Sequence, residues 1–142
     1  MVLTIQQMYI DEMVAHAIQD APDECCGILA GTRDQATKLY RMTNVEASPY
    51  RYSMSGTELL HTTQEIERNG WDLLVIYHSH THSEAYPSST DVRMATWPEP
   101  DGTSIWPGTY YVLVSLELPD RPVVRAFTIA DGVVLEEEIR TA

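Results

Sequence analysis

The feature that most constrains this chain is the passage from residue 73 to residue 91. An unbroken apolar run, Leu73 to Tyr77, leads directly into His78-Ser79-His80, then into a turn-rich segment that ends Pro87-Ser88-Ser89-Thr90-Asp91. A short apolar run containing β-branched residues predicts a buried strand. Side chains at i and i+2 on a strand share one face, with roots roughly 6.6 Å apart at a rise of about 3.3 Å per residue, so the two imidazoles can converge on one ion. Pro87 and Ser88 followed by Val92, Met94 and Ala95 predict a helix start, which holds Asp91 in the first turn, close to the end of the strand. Two neutral imidazoles and one carboxylate leave a bound zinc ion with a net charge of about +1 and an open position, the pattern of a catalytic site rather than a closed structural one.

Other readings compete with each piece taken alone. Ser88-x-x-Asp91 is also an acidic variant of a capping box, and one residue pair can both cap a helix and aim a ligand. A lone His-x-His carries little meaning. The joint order, His-x-His, seven residues, Ser, two residues, Asp, is far more specific. His82 stands two residues past His80 and competes as a ligand, but a site with an open position is already supplied by the other three, so His82 is expected in a loop beside the cleft.

His78, His80, Ser88 and Asp91, with the upstream segment Pro22-Asp23-Glu24-Cys25-Cys26-Gly27-Ile28-Leu29-Ala30-Gly31, resemble the motif of the JAMM (MPN+) zinc metallopeptidases over nearly the whole chain. Within that family, Val75 to Thr81 and Glu84-Ala85-Tyr86-Pro87-Ser88 are similar to the bacterial peptidases that process ubiquitin-like sulfur carrier proteins. The resemblance implies an α/β fold, a mixed β-sheet flanked by helices, of the cytidine-deaminase-like kind. It implies one zinc ion per chain held by His78, His80 and Asp91, with Glu24 as general acid/base and Ser88 steadying the oxyanion. By itself, Glu24 reads as a solvated charge at a loop edge. The implied partner is a ubiquitin-like sulfur carrier with a glycine-rich C-terminus, from which cysteine is released; trimming of extra carrier residues and isopeptide cleavage are the alternatives. The carrier tail is expected to pass between residues 81–87 and 50–54, with His82 or Tyr86 lining the exit. Thr81 stands where the family pattern usually has proline, which bears on the stiffness of the loop rather than on the ligands.

Length and charge bound the rest. The 142 residues suit one domain, residues 1–142, able to bury an ordinary core. A formal charge of −12 argues against nucleic acid, whose phosphates need Lys and Arg, and favours a partner that is neutral or basic where it docks. No apolar stretch approaches the ~20 residues of a membrane span and the N-terminal segment lacks a basic signal region, so no membrane contact and a cytoplasmic location are expected. Cys25 and Cys26 are adjacent, too close for ordinary disulfide geometry. A homodimer stays open.

Periodicity and breakers predict strands over 2–5, 26–30, 38–43, 50–54, 109–118, 123–130 and 133–139 around the metal strand. Helices are predicted over 6–20, over 56–69 and from Ser88 to near Trp97. His16 and His61 read as packed or surface helix residues. Cys26 reads as a core residue, because no Cys-protease arrangement accompanies it. The segment 99–108 carries no His or Cys for a further zinc. A zinc nucleobase deaminase would need His-x-Glu and Pro-Cys-x-x-Cys, which are absent, and the intact candidate residues oppose a non-catalytic scaffold.

Overall fold

The computed structural model describes residues 2–96 and 105–141. Its elements run β1 (Val2–Thr4), α1 (Gln7–Asp20), β2 (Cys26–Thr32), β3 (Gln35–Met42), α2 (Gly56–Arg68), β4 (Asp72–His80), α3 (Ser89–Met94), β5 (Tyr110–Ser115), β6 (Val123–Ala130) and β7 (Val133–Arg140). The strands form one mixed sheet in the order β1-β3-β2-β4-β5-β6-β7 that curls until β1 meets both ends. The expected α/β class, a mixed sheet flanked by helices, is what the chain adopts.

β4 lies at the centre, antiparallel to β2 and parallel to β5. A strand covered on both faces has no polar face, which is why residues 73–77 read as one apolar run. Alternation then divides the layers. Leu29 of β2 and Val75 and Tyr77 of β4 join the core under α1, with Met13 and Ala17. Cys26, Ile28 and Ala30 face the other way and pack with Ile66 of α2. His78 and His80 continue the Ile76 face, so the core pattern of β4 aims both imidazoles to one side. The strand itself runs on through both histidines to His80, beyond the predicted apolar segment.

Local chemistry sets the ends. Ser55 caps α2 by accepting from the Glu58 amide, and Gly70, at φ +68°, follows it. Arg33 and Asp34 make the β2–β3 turn with φ of 53° and 62°, both left-handed. Such a turn normally advertises itself with glycine or asparagine, so β3 begins before its predicted start. The predicted strand over 50–54 is a correction: its only ladder contact is an isolated bridge between Asn44 and Met54. α3 is shorter than predicted, and its expected end near Trp97, like most of the 99–108 segment, lies outside the described residues. No described helix is long and apolar enough to cross a membrane.

Gly27 shows how tightly β2 and β4 are stacked. A Cβ there would overlap the ring of Tyr77, which is fully buried and whose hydroxyl lies 2.8 Å from His16 Nδ1. Gly27→Ala is therefore expected to lower stability by about 2 kcal/mol. The check is a fall in the urea midpoint at unchanged slope; an unmoved midpoint would mean that the Tyr77 wall yields.

Candidate metal centre

Two elements deliver the candidate ligands. β4 contributes His78 and His80, and the first turn of α3 contributes Asp91, held by a capping box in which Ser88 Oγ accepts from the Asp91 amide (3.0 Å) and Asp91 Oδ2 accepts from the Ser88 amide (2.9 Å). The carboxylate reaches both imidazoles: Oδ1 is 3.2 Å from His78 Nε2 and Oδ2 is 3.0 Å from His80 Nε2. Ligand atoms of all three lie within 4.8 Å of one another, the one such His/Cys/Asp/Glu trio among the described residues.

The donor set points to a cation. His80 Nδ1–H donates to the Glu84 carbonyl at 2.8 Å, which orients the ring so that Nε2 faces Asp91 Oδ2 at 3.0 Å. His78 is 2 % exposed, yet neither ring nitrogen has a hydrogen bond, the approach to Asp91 being at ion-pair distance but off the N–H direction. A buried imidazole without a partner is costly. Burial lowers the pKa of His78, with Asp91 pulling partly the other way, so it sits there neutral. Burial also pushes down on His80, but the hydrogen bonds that its ring N–H groups donate to Asp91 and to the Glu84 carbonyl outweigh it and leave His80 raised. For Asp91, burial pushes upward, and His78, His80 and the Ser88 amide overcome it and hold the carboxyl far below the usual carboxylate range. Once His80 Nε2 gives up its proton, two nitrogens and an oxygen present electron pairs to one point, and this donor set fits a divalent metal ion.

Glu24 stands at the head of β2. Its side chain is 4 % exposed, Oε1 has no hydrogen-bond partner, and burial pushes the carboxyl up to about 8, with His80 pulling it down and Asp91 pushing it further up. Its main chain is fixed on both sides, the N–H donating to the Ser48 carbonyl (2.9 Å) and the C=O accepting from Asn44 Nδ2 (3.0 Å). Ser79, between the two histidines, accepts from the Cys25 amide at 2.8 Å and donates its own amide to the Cys25 carbonyl. The Glu24–Cys25 segment and β4 are therefore laced together.

His82 and Tyr86 sit elsewhere. His82 is exposed; its Nδ1–H donates to Thr81 Oγ1 (2.9 Å), which donates to the Pro22 carbonyl (3.0 Å), and it borders a cleft of about 390 Å³ with Ile18, Pro22 and Leu116. The Thr81 tie supplies a restraint where the family pattern has proline. Tyr86, 44 % exposed, packs edge-on against Phe127 at 5.3 Å with the Arg125 guanidinium 6.0 Å from its ring. Cys25 and Cys26 are buried thiols that burial pushes up to about 12, which keeps them out of nucleophilic work. Three residues beside the site left no signal in the sequence: Ser79, Asn44 and Tyr52, whose ring stacks on His78 at 4.4 Å.

A mixed sheet whose central strand carries paired histidines, answered by an aspartate from the next helix, is the framework of a JAMM-type hydrolase. The chain belongs to the family described as prokaryotic homologs of the JAB domain, whose model matches residues 6–130. It is 44% identical over 140 residues to the CysO-cysteine peptidase of Mycobacterium tuberculosis, covering 97% of this chain and 90% of that one. It is 36% identical over 133 residues to a Thermus thermophilus protein named "Probable TtuB-protein conjugate cleaving protease", covering 93% and 79%. Among solved structures, protein DSY2949 of Desulfitobacterium hafniense superposes with a TM-score of 0.80 at 35% identity, over 99% of this chain and 92% of that one.

Proposed function

We propose that residues 1–142 form one zinc peptidase domain that hydrolyses the C-terminal bond of a ubiquitin-like sulfur carrier protein and releases cysteine from it. The chemistry rests on one observation, the buried trio of His78, His80 and Asp91 with an unpartnered imidazole facing the carboxylate. The substrate class rests on the likeness to the CysO-cysteine peptidase. The likeness to a protein named for cleaving TtuB-protein conjugates favours a second reading, hydrolysis of an isopeptide between carrier and target.

In this reading His78, His80 and Asp91 hold one zinc ion, which when bound supplies Lewis acidity and a water of lowered pKa. Glu24 takes a proton from the attacking water as its oxygen bonds to the scissile carbonyl carbon, then delivers that proton to the leaving amine as the C–N bond breaks. Ser88 commits a lone pair of Oγ to the cap, which leaves its O–H proton to donate to the carbonyl oxygen as negative charge develops there. Tyr52 backs His78, and the bonds of Ser79 to Cys25 and of Asn44 to the Glu24 carbonyl fix the main chain that carries Glu24. A glycine-rich carrier tail is thin enough to pass between residues 81–87 and 50–54, with His82 or Tyr86 meeting the released residue. The charge of −12 favours a carrier with a neutral or basic docking face. A cytoplasmic location belongs to the same proposal.

The test pairs metal content with substrate. Protein prepared without added metal is expected to contain about one zinc per chain by elemental analysis. It is expected to shorten a carrier ending in Gly-Gly-Cys by one cysteine, read by intact mass. Undiminished cleavage in protein stripped of metal and kept in chelator would overturn the metallopeptidase reading. Cleavage confined to a lysine-linked carrier conjugate would select the second reading.

A further inference from the structure

We infer that Asn44 is a positioning residue for hydrolysis, acting through Glu24; the inference rests on the assignment of Glu24 as the proton carrier. Asn44 lies just past the end of β3, half-buried, and all four hydrogen-bonding positions of its side chain are used. Nδ2 donates to the Glu24 carbonyl at 3.0 Å and to the Arg51 carbonyl at 3.1 Å. Oδ1 accepts from the Glu46 amide at 3.0 Å and from the Ser53 amide at 3.1 Å. The amide orientation is fixed by this set, because a flipped side chain would turn its oxygen onto two carbonyls and its NH₂ onto two N–H groups.

The two halves of the side chain do different work. The oxygen gathers residues 46 and 53 and so builds the loop, helped by the Val45 amide on the Ser53 carbonyl and the bridge to Met54. The nitrogen holds the Arg51 carbonyl inside the loop and also reaches out of it to Glu24. That loop also supplies Ser48, whose carbonyl takes the Glu24 N–H, and Tyr52, which stacks on His78. Glu24 lies before the first residue of β2, Cys26; its neighbour Cys25 is tied to Ser79 of β4, and both main-chain bonds of Glu24 itself come from the 44–54 loop. A carboxylate that must reach both a water and a leaving amine tolerates little displacement, since about 1 Å of misplacement can cost on the order of 10²-fold in rate.

Asn44→Asp keeps the acceptor that gathers the Glu46 and Ser53 amides and sets an oxygen against the carbonyls of Glu24 and Arg51, so the loop loses its Arg51 bond along with the tie to Glu24. Expected are full zinc content, a KM close to wild type, and a kcat lower by on the order of 10²-fold. Hydrogen exchange supplies a readout independent of turnover: the Glu24 amide is expected to exchange about tenfold faster while amides of β5 keep wild-type protection. In a Glu24→Gln background, Asn44→Asp is expected to cost little further, because its effect runs through the missing carboxylate. Should the aspartate variant fail to fold, Asn44→Ala removes donors and acceptor together without the repulsion, and the split between kcat and KM and the double variant with Glu24→Gln carry the comparison. Wild-type kcat with unchanged Glu24 exchange, or a loss that multiplies fully with that of Glu24→Gln, overturns the inference. Wild-type turnover in Glu24→Gln alone would instead remove the proton-carrier assignment, a failure visible without any Asn44 variant.

Discussion

Glu24→Gln is expected to lower kcat by about 10²-fold or more while zinc content stays at the wild-type level. Glutamine has nearly the same shape, so the main-chain bonds to Ser48 and Asn44 persist and only the proton-accepting oxygen is lost. Loss of metal together with activity would make Glu24 a ligand instead. The same variant has a second, opposite effect in protein freed of metal. Burial lifts the Glu24 carboxyl from its ordinary 4.5 to about 8, so the folded chain holds this proton more tightly than the unfolded chain. Between those values the unfolded state binds fewer protons. The stability of the metal-free protein therefore falls as pH rises from about 4.5 toward 8, by a few kcal/mol at about 1.4 kcal/mol per unit. Glutamine has no proton to lose, and the variant should show a flatter decline and be the more stable protein at neutral pH. Urea midpoints of both proteins across that range decide it, and parallel declines would mean that the carboxyl finds water or a cation. A metal ion at the trio would replace the pull of a charged His80 with its own positive charge and return the carboxyl toward a value useful for catalysis.

Removing Asp91 is expected to abolish both metal and turnover, a loss well beyond the 10- to 100-fold seen when an outer partner of a metal ligand is deleted. The residue has two jobs that two substitutions separate. Asp91→Ala removes the carboxylate that both imidazoles face and the reciprocal half of the α3 cap, so stability should also fall by about 1 kcal/mol. Asp91→Asn keeps an oxygen for the Ser88 amide but no charge, so it should fold like wild type and still lose the metal. Elemental analysis and thermal melts on the two variants read these outcomes separately. Full zinc in the asparagine variant would show that the histidines suffice and would reduce Asp91 to a helix cap.

The parts of this molecule that were legible in the sequence are those where one physical demand writes a pattern. Burial of β4 on both faces wrote the run from Leu73 to Tyr77, and the two-residue period of a strand put His78 and His80 on one side. The cap of α3 wrote Ser88 and Asp91. Glu24 wrote nothing of its own, since a single carboxylate at a strand head looks the same whether it is solvated or enclosed, and only likeness to a family singled it out. Residues 50–54 were misread as a strand because alternation at Tyr52 and Met54 looks like a sheet face. In the folded chain the amides and carbonyls there go to the side chain and backbone of Asn44 and its neighbours instead of a ladder. Side-chain-to-backbone bonding of this kind leaves no periodic trace. The break between β2 and β3 was legible but its tightness was not, because two non-glycine residues, Arg33 and Asp34, adopt the left-handed conformation and β3 starts at once at Gln35.

β1 is three residues long, yet it joins the two ends of the sheet: Val2, Leu3 and Thr4 pair with Glu138, Ile139 and Arg140, and Thr4 also pairs with Gln35. Leu3 and Ile5 are completely buried once this happens. A ribosome makes these residues well before their partners, so while the chain is being synthesised Leu3 and Ile5 wait without β7. Sealing the ring therefore has to follow the emergence of β7 and joins segments far apart in sequence, the kind of distant pairing that folds slowly. A nascent chain that stops after β6 would carry its metal strand, both histidines and Asp91, and still present an open sheet to whatever chaperone or protease meets it first.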